Sequence, residues 1–200
     1  MILVAAVLVG LTAGLCRAWI NKREYRIFEL RHAYIVLLAF VPQYFAFFAP
    51  GLRETLSNEL VAILQISSLI LLLGFSILNI RKTGFWPIIA GFFLNFLVIV
   101  LNGGFMPISP VTAQKMVAGT HVAWEIGQRF DFSKDMVLSP ETTRLAFLSD
   151  RFTLQRFLGF NIAFSFGDVL IALGVIWLLW MLGGIDQQKN KEMVHDQHSC

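Results

Sequence analysis

Cysteine is scarce: Cys16 and Cys200 are the two thiols in 200 residues, too few to staple a small secreted domain. Charge is scarce as well. Asp, Glu, Lys and Arg make up 14% of the chain, against about 25% in an ordinary soluble domain. No Gly-rich phosphate loop, G-x-S-x-G elbow or H-E-x-x-H pair occurs, and no Pro/Ser-rich linker divides the chain. What fills the space is apolar. Hydrophobic residues reach 56% with 19 phenylalanines, and the mean hydropathy is +0.68. A water-soluble globule of this length cannot hide that much apolar surface, so the sequence predicts that lipid surrounds much of it. A cytosolic enzyme, a disordered chain and a disulfide scaffold are all excluded on this reading.

Runs near the ~20 residues that a bilayer core demands predict an all-α membrane protein with five transmembrane helices, at about 2–20, 33–49, 60–80, 85–101 and 161–182. An outer cap at 102–160 and a cytoplasmic tail at 183–200 complete a single membrane domain. The first run lacks a basic segment before it, as a signal peptide would have, and Leu15 stands where lipid attachment at Cys16 would want a small residue. Lys and Arg set the expected orientation. Nine of them (Arg17, Lys22, Arg23, Arg26, Arg31, Arg81, Lys82, Lys189 and Lys191) fall on one side, and Arg53 is alone in the short link on the other. That places the amino terminus outside and the carboxy terminus in the cytoplasm. The basic link after the first run serves topology, and nothing in the charge pattern reads as a nucleic-acid surface.

The expected cap opens with Asn102-Gly103-Gly104-Phe105-Met106-Pro107, where glycine admits positive φ and proline stops a helix. Ser109-Pro110 starts one short helix ending near Gly119, and Ser139-Pro140 a second reaching about Leu148. His121 and Glu125 stand four apart, as do Asp131 and Asp135. Two ligands are too few for a metal site, and the acid pair reads as solvated. No metal and no cofactor is expected.

The informative residues are polar ones inside apolar runs. Asp168 is the one acid within an expected span, where a carboxylate costs roughly 2.5–3.5 kcal/mol on insertion scales. Asn161, Ser165, Asp168 and Ala172 share one helical face, as do Gly91, Asn95, Val98 and Asn102. Asn95 lies seven residues before the outer end of its span and Asp168 seven after the start of its own. At 1.5 Å per residue both lie about 10 Å deep, so the two should face each other, with the Asp168 pKa raised by desolvation. Gln65, Ser68, Ser76 and Asn79 share a face of the third span. Ala6, Gly10, Gly14 and Ala18 repeat every four residues, a stripe that lets another helix approach closely.

Three segments, Asn102 to Ser109, Glu141 to Asp150 and Gly167 to Gly174, resemble a bacterial family of small multi-pass membrane proteins that carries a domain-of-unknown-function label. The shared elements are N-G-G-x-M-P and G-D-x-x-x-A-x-G; Ala146 and Ser149 depart from the family's Pro and Gly. The resemblance implies residence in the bacterial cytoplasmic membrane and no particular activity. Three functions then compete. A non-enzymatic membrane subunit or scaffold, with the bilayer and a membrane-protein partner as its contacts, ranks first. A small proton- or cation-linked carrier using Asp168 ranks second, and an outer-surface metal-dependent enzyme last.

Overall fold

A computed structural model describes residues 1–25, 29–49, 51–117, 122–130, 133–157 and 159–184. The first helix, α1 (Ile2–Ile20), buries Ala6, Gly10, Gly14 and Ala18 and turns its larger side chains outward. The helix α2 (Tyr34–Gln43) contains Pro42, which removes an amide from the ladder, and the chain runs on as a wider π turn over Tyr44–Phe48. A single turn, α3 (Leu52–Thr55), leads to α4 (Asn58–Leu78). The Ser57 side chain caps α4 by accepting the Leu60 amide at 3.3 Å. The helix α5 (Phe85–Leu101) follows a tight turn at Gly84. The last helix, α7 (Phe166–Leu182), begins with a capping box in which Ser165 and Asp168 satisfy each other's amides. In the bundle α1 packs along α7, α7 along α5, α5 along α4 and α4 along α2.

The α1–α7 seam is set by glycine. A Cβ at Gly10 would come within 2.9 Å of the Ile176 Cα, and one at Gly14 would run into the Leu179 carbonyl. At the far end Arg17 lies over the Trp180 ring, 4.0 Å from its centroid, and the Tyr25 hydroxyl donates to the Leu179 carbonyl at 3.1 Å.

Between α5 and α7 lies the cap. It holds β1 (Met106–Ile108), the short helix α6 (Pro110–Met116), β2 (Asp135–Val137), a 3-10 turn at Ala146–Leu148, β3 (Phe152–Phe157) and β4 (Phe160–Phe164). The first two strands pair in parallel, Met106 opposite Asp135 and Ile108 opposite Val137. The last two form an antiparallel hairpin that runs directly into α7. The Asn102-Gly103-Gly104 turn makes β1 possible, with φ of +77° at Gly103 and +89° at Gly104. Gly104 also lies so close to Ala62 of α4 that a Cβ there would collide with it.

Two expectations are overturned. Five spanning helices were expected, and among the described residues two, Ile2–Ile20 and Asn58–Leu78, are long and apolar enough to cross a membrane. The apolar helices Tyr34–Phe48, Phe85–Leu101 and Phe166–Leu182 are shorter. At 1.5 Å per residue, a 17-residue helix such as α5 or α7 is about 25 Å long, short of a ~30 Å bilayer core. The second expected span shortens to Tyr34–Phe48 and widens into a π turn after Pro42, and the fifth loses its first residues to β4. The inside–outside assignment resting on five spans falls with them. The cap, expected to be helical, is built on two small sheets. Ser109 does cap α6, accepting the Thr112 amide at 3.1 Å. The second expected cap helix is only a turn at Ser139 and the 3-10 segment, because Leu145 takes a left-handed conformation, φ +54°, that a right-handed helix cannot continue through.

Candidate functional site

Asn95 on α5 and Asp168 in the first turn of α7 are joined directly, the Asn95 amide donating to Asp168 Oδ1 at 2.9 Å. Ser165 completes a triangle. Its hydroxyl donates to Asn95 Oδ1 at 2.9 Å while its oxygen accepts the Asp168 amide at 3.1 Å. The Ser165 amide in turn donates to Asp168 Oδ2 at 3.1 Å. Helix N-terminus and amide thus hold the carboxylate in one rotamer, and the approach is close enough that a Cβ at Gly167 would strike the Asn95 side chain.

The cap brings further charge to this point. Lys134 Nζ lies 3.5 Å from Asp168 Oδ2 and 3.6 Å from Asp150 Oδ2. Backbone pairing positions both cap residues: the Met106 amide donates to the Lys134 carbonyl at 3.0 Å, and the Asp150 amide to the Pro107 carbonyl at 3.1 Å. Met106 and Pro107 are therefore the buried backbone rail along which the charged residues are hung. Asp135, next to Lys134, accepts a 2.6 Å hydrogen bond from the Ser133 hydroxyl on Oδ2. Asp135 and Asp150 are 6% and 2% exposed. Each leaves its Oδ1 without a donor.

One lysine therefore faces three carboxyl groups. Burial pushes Asp150 up most strongly; Lys134 opposes this, and the neighbouring Asp135 and Asp168 charges reinforce it, leaving Asp150 well above the usual carboxylate range. Burial raises Asp135 too, against the pull of Lys134 and its hydrogen bonds. Asp150, the more strongly raised of the two, shares a side-chain hydrogen bond with Asp135. Asp168 goes the other way. Burial would raise it, but Lys134 and the hydrogen bonds from Ser165 and Asn95 together hold it below its ordinary value. The expected rise at Asp168 is thus reversed, because a cation the sequence reading had not placed there sits beside it. Burial alone would lower Lys134, and the three aspartates raise it above its usual range, so it is an ammonium.

The cluster forms the polar side of an open cavity of about 520 Å³ lined by α4, α5, α7, the end of α2, the start of α1 and the cap. Leu69, Leu72, Phe92, Ile99 and Ile171 make its apolar wall. Gln43 and Gln65 are also in its lining; Gln43 donates to Ser68 Oγ at 2.8 Å, while Gln65 Oε1, in a residue 2% exposed, accepts nothing. A second cavity of about 320 Å³ lies within the cap, among Ser109, Thr112, Thr143 and Arg151. Asp150 belongs to the walls of both.

Other residues singled out in the sequence lie elsewhere. Asn102 closes the α5 end, its amide donating to the Val98 and Arg144 carbonyls. Asn161 is on β4, not on a helix, and donates to the Met116 carbonyl at 3.2 Å. Gly10 and Gly14 serve the α1–α7 seam. His121 and Asp131 lie outside the described residues. Asp135, read as a solvated acid, is buried. Lys134 and Asp150 belong to no motif that marks them in the sequence, each standing between a serine and another charged residue, as Ser133-Lys134-Asp135 and Ser149-Asp150-Arg151.

Comparison with curated proteins and with solved structures finds no match. Residues 27–180 match the family described as a family of unknown function, DUF5317. With that match spanning the cap, α2, α4, α5 and nearly all of α7, the chain belongs to the DUF5317 family.

Proposed function

We propose that this protein is a membrane-embedded carrier in which the cluster of Lys134, Asp135, Asp150 and Asp168 takes up and releases a proton beside the larger cavity. The observation that carries this reading is the position of Asp150: a buried carboxyl, one oxygen without a donor, common to the walls of two cavities. A group in that place can receive a proton from one side and hand it to Asp135 on the other. Buried charge is costly in apolar surroundings and is characteristically kept where it does work on ions or protons.

Membrane residence is supported by what the helices turn outward. Val4, Leu8 and Val9 on α1 and Ile63 and Ile70 on α4 are each more than half exposed, an apolar surface too continuous for water. Trp19 and Trp86 are also exposed and suit the headgroup level, where tryptophan is enriched.

Infrared spectroscopy of the full chain in lipid discs at neutral pH tests the reading. A protonated-carboxyl stretch is expected that disappears in Asp150→Asn and persists in Asp168→Asn. Absence of that stretch in the native protein removes the basis for the proposal. A second reading, the cluster as a clip in a scaffold, is favoured by one observation: Lys134 ties the cap to α7 while Asn95 ties α5 to α7. On that reading the carboxyls hold no proton at neutral pH.

A further inference from the structure

We infer that the larger cavity binds a small organic monocation, an ammonium head carried on an apolar body. This rests on the reading of the cluster as a site that takes up and releases a proton, and it names a ligand that the cluster's charge can hold. The size is right: about 520 Å³ falls within the range of roughly 300–1,000 Å³ typical of small-molecule sites. The lining is divided as such a ligand requires, with Leu69, Leu72, Phe92 and Ile171 on one side and the carboxyls on the other.

The charges select the sign. With one proton between Asp135 and Asp150, two negative charges remain against the single positive charge of Lys134. One negative charge is left over beside a largely apolar wall, where a partly desolvated charge gains from an opposite partner. The unmet hydrogen bonds select the same chemistry. Gln65 Oε1, Asp135 Oδ1 and Asp150 Oδ1 are buried, lie in residues lining this cavity, and have no donor. All three are acceptors. An ammonium brings three donors and one positive charge; a carboxylate brings neither, and an alcohol only one donor and no charge. A bare metal ion fits poorly, since Lys134 Nζ already stands between the Asp150 and Asp168 carboxylates and the wall opposite is hydrocarbon.

The test uses the full chain in discs of uncharged lipid, titrated by calorimetry with hexylammonium, hexanol and hexanoate, and with empty discs as the blank. Hexylammonium should bind the native protein about tenfold or more tighter than hexanol, the worth of one charge-assisted hydrogen bond, and hexanoate should not bind. Asp168→Asn should weaken hexylammonium binding to the level of hexanol, while Leu173→Ala, on the exposed side of α7, should leave it unchanged. Because the three probes are compared on the native chain, the result stands even where a variant fails to fold. Tighter binding of hexanoate assigns the cavity to an anion held by Lys134 and overturns the inference. Equal binding of hexylammonium and hexanol, or no binding above the blank, overturns it also. If the protonated-carboxyl stretch is present while hexylammonium fails to bind, the ligand inference falls and the proton-exchange reading survives.

Discussion

At the scale of single residues, Asp168 is where most of the site's constraints meet. It accepts from Asn95, the Ser165 amide and Lys134, while its own amide is capped by Ser165. Asp168→Asn keeps an oxygen for Asn95 and loses the charge, so stability should fall by about 1–2 kcal/mol. Asp168→Leu leaves Lys134 and Asn95 facing hydrocarbon and should cost about 3–5 kcal/mol. Thermal unfolding of both variants in one detergent checks the order; equal losses would mean the carboxylate's contacts carry no weight. The Asn95 partner was expected and is found, but the equal-depth reasoning behind it holds for α5 alone, because Asn161 is on β4, Ser165 is the cap and Asp168 lies in the first turn of α7. Lys134 and Asp150 were not expected. Lys134 reaches Asp168 across 34 residues through a parallel strand pair, and no local periodicity encodes a contact of that kind. The direction of the Asp168 pKa failed for the same reason, since desolvation was reasoned without the cation beside it.

At the scale of elements, the α1–α7 seam depends on the absence of side chains at Gly10 and Gly14. Gly10→Leu must push its side chain against the Ile176 backbone and should destabilise the bundle by about 1–3 kcal/mol. Leu8→Ala, on the exposed face of α1, should change little. A matched pair of unfolding curves decides, and equal effects would show that the close approach contributes nothing. The four-residue stripe on α1 was readable, as were the long apolar stretches that became α4 and α5. The β4–α7 junction was not. Phe160–Phe164 (FNIAF) is apolar enough to extend the run that follows, and a short apolar segment does not declare its period. What separates strand from helix there is Ser165, whose capping hydrogen bonds start α7 five residues after the strand begins. The 3-10 turn at Ala146–Leu148 was hidden likewise, because no residue type announces the positive φ of a leucine.

At the scale of the whole molecule, two long apolar helices and three shorter ones line an open cavity and supply most of its apolar wall, and a strand-based cap supplies most of its charge. The helices carry most of the leucines, while Lys134, Asp135 and Asp150 come from the cap. The long apolar runs were legible as apolar helices, and the number long enough to span a bilayer was not, because a run of apolar residues does not reveal how much of it becomes helix. The proposed carrier moves protons through the cluster. Vesicles containing the full chain, a trapped pH-sensitive dye and internal potassium, diluted into potassium-free buffer with valinomycin, develop a negative interior that drives protons inward. The interior should acidify faster than in protein-free vesicles, and both Asp150→Asn and Asp168→Asn should bring the rate down toward that baseline. A native rate equal to that of protein-free vesicles, or a rate untouched by both substitutions, would contradict it.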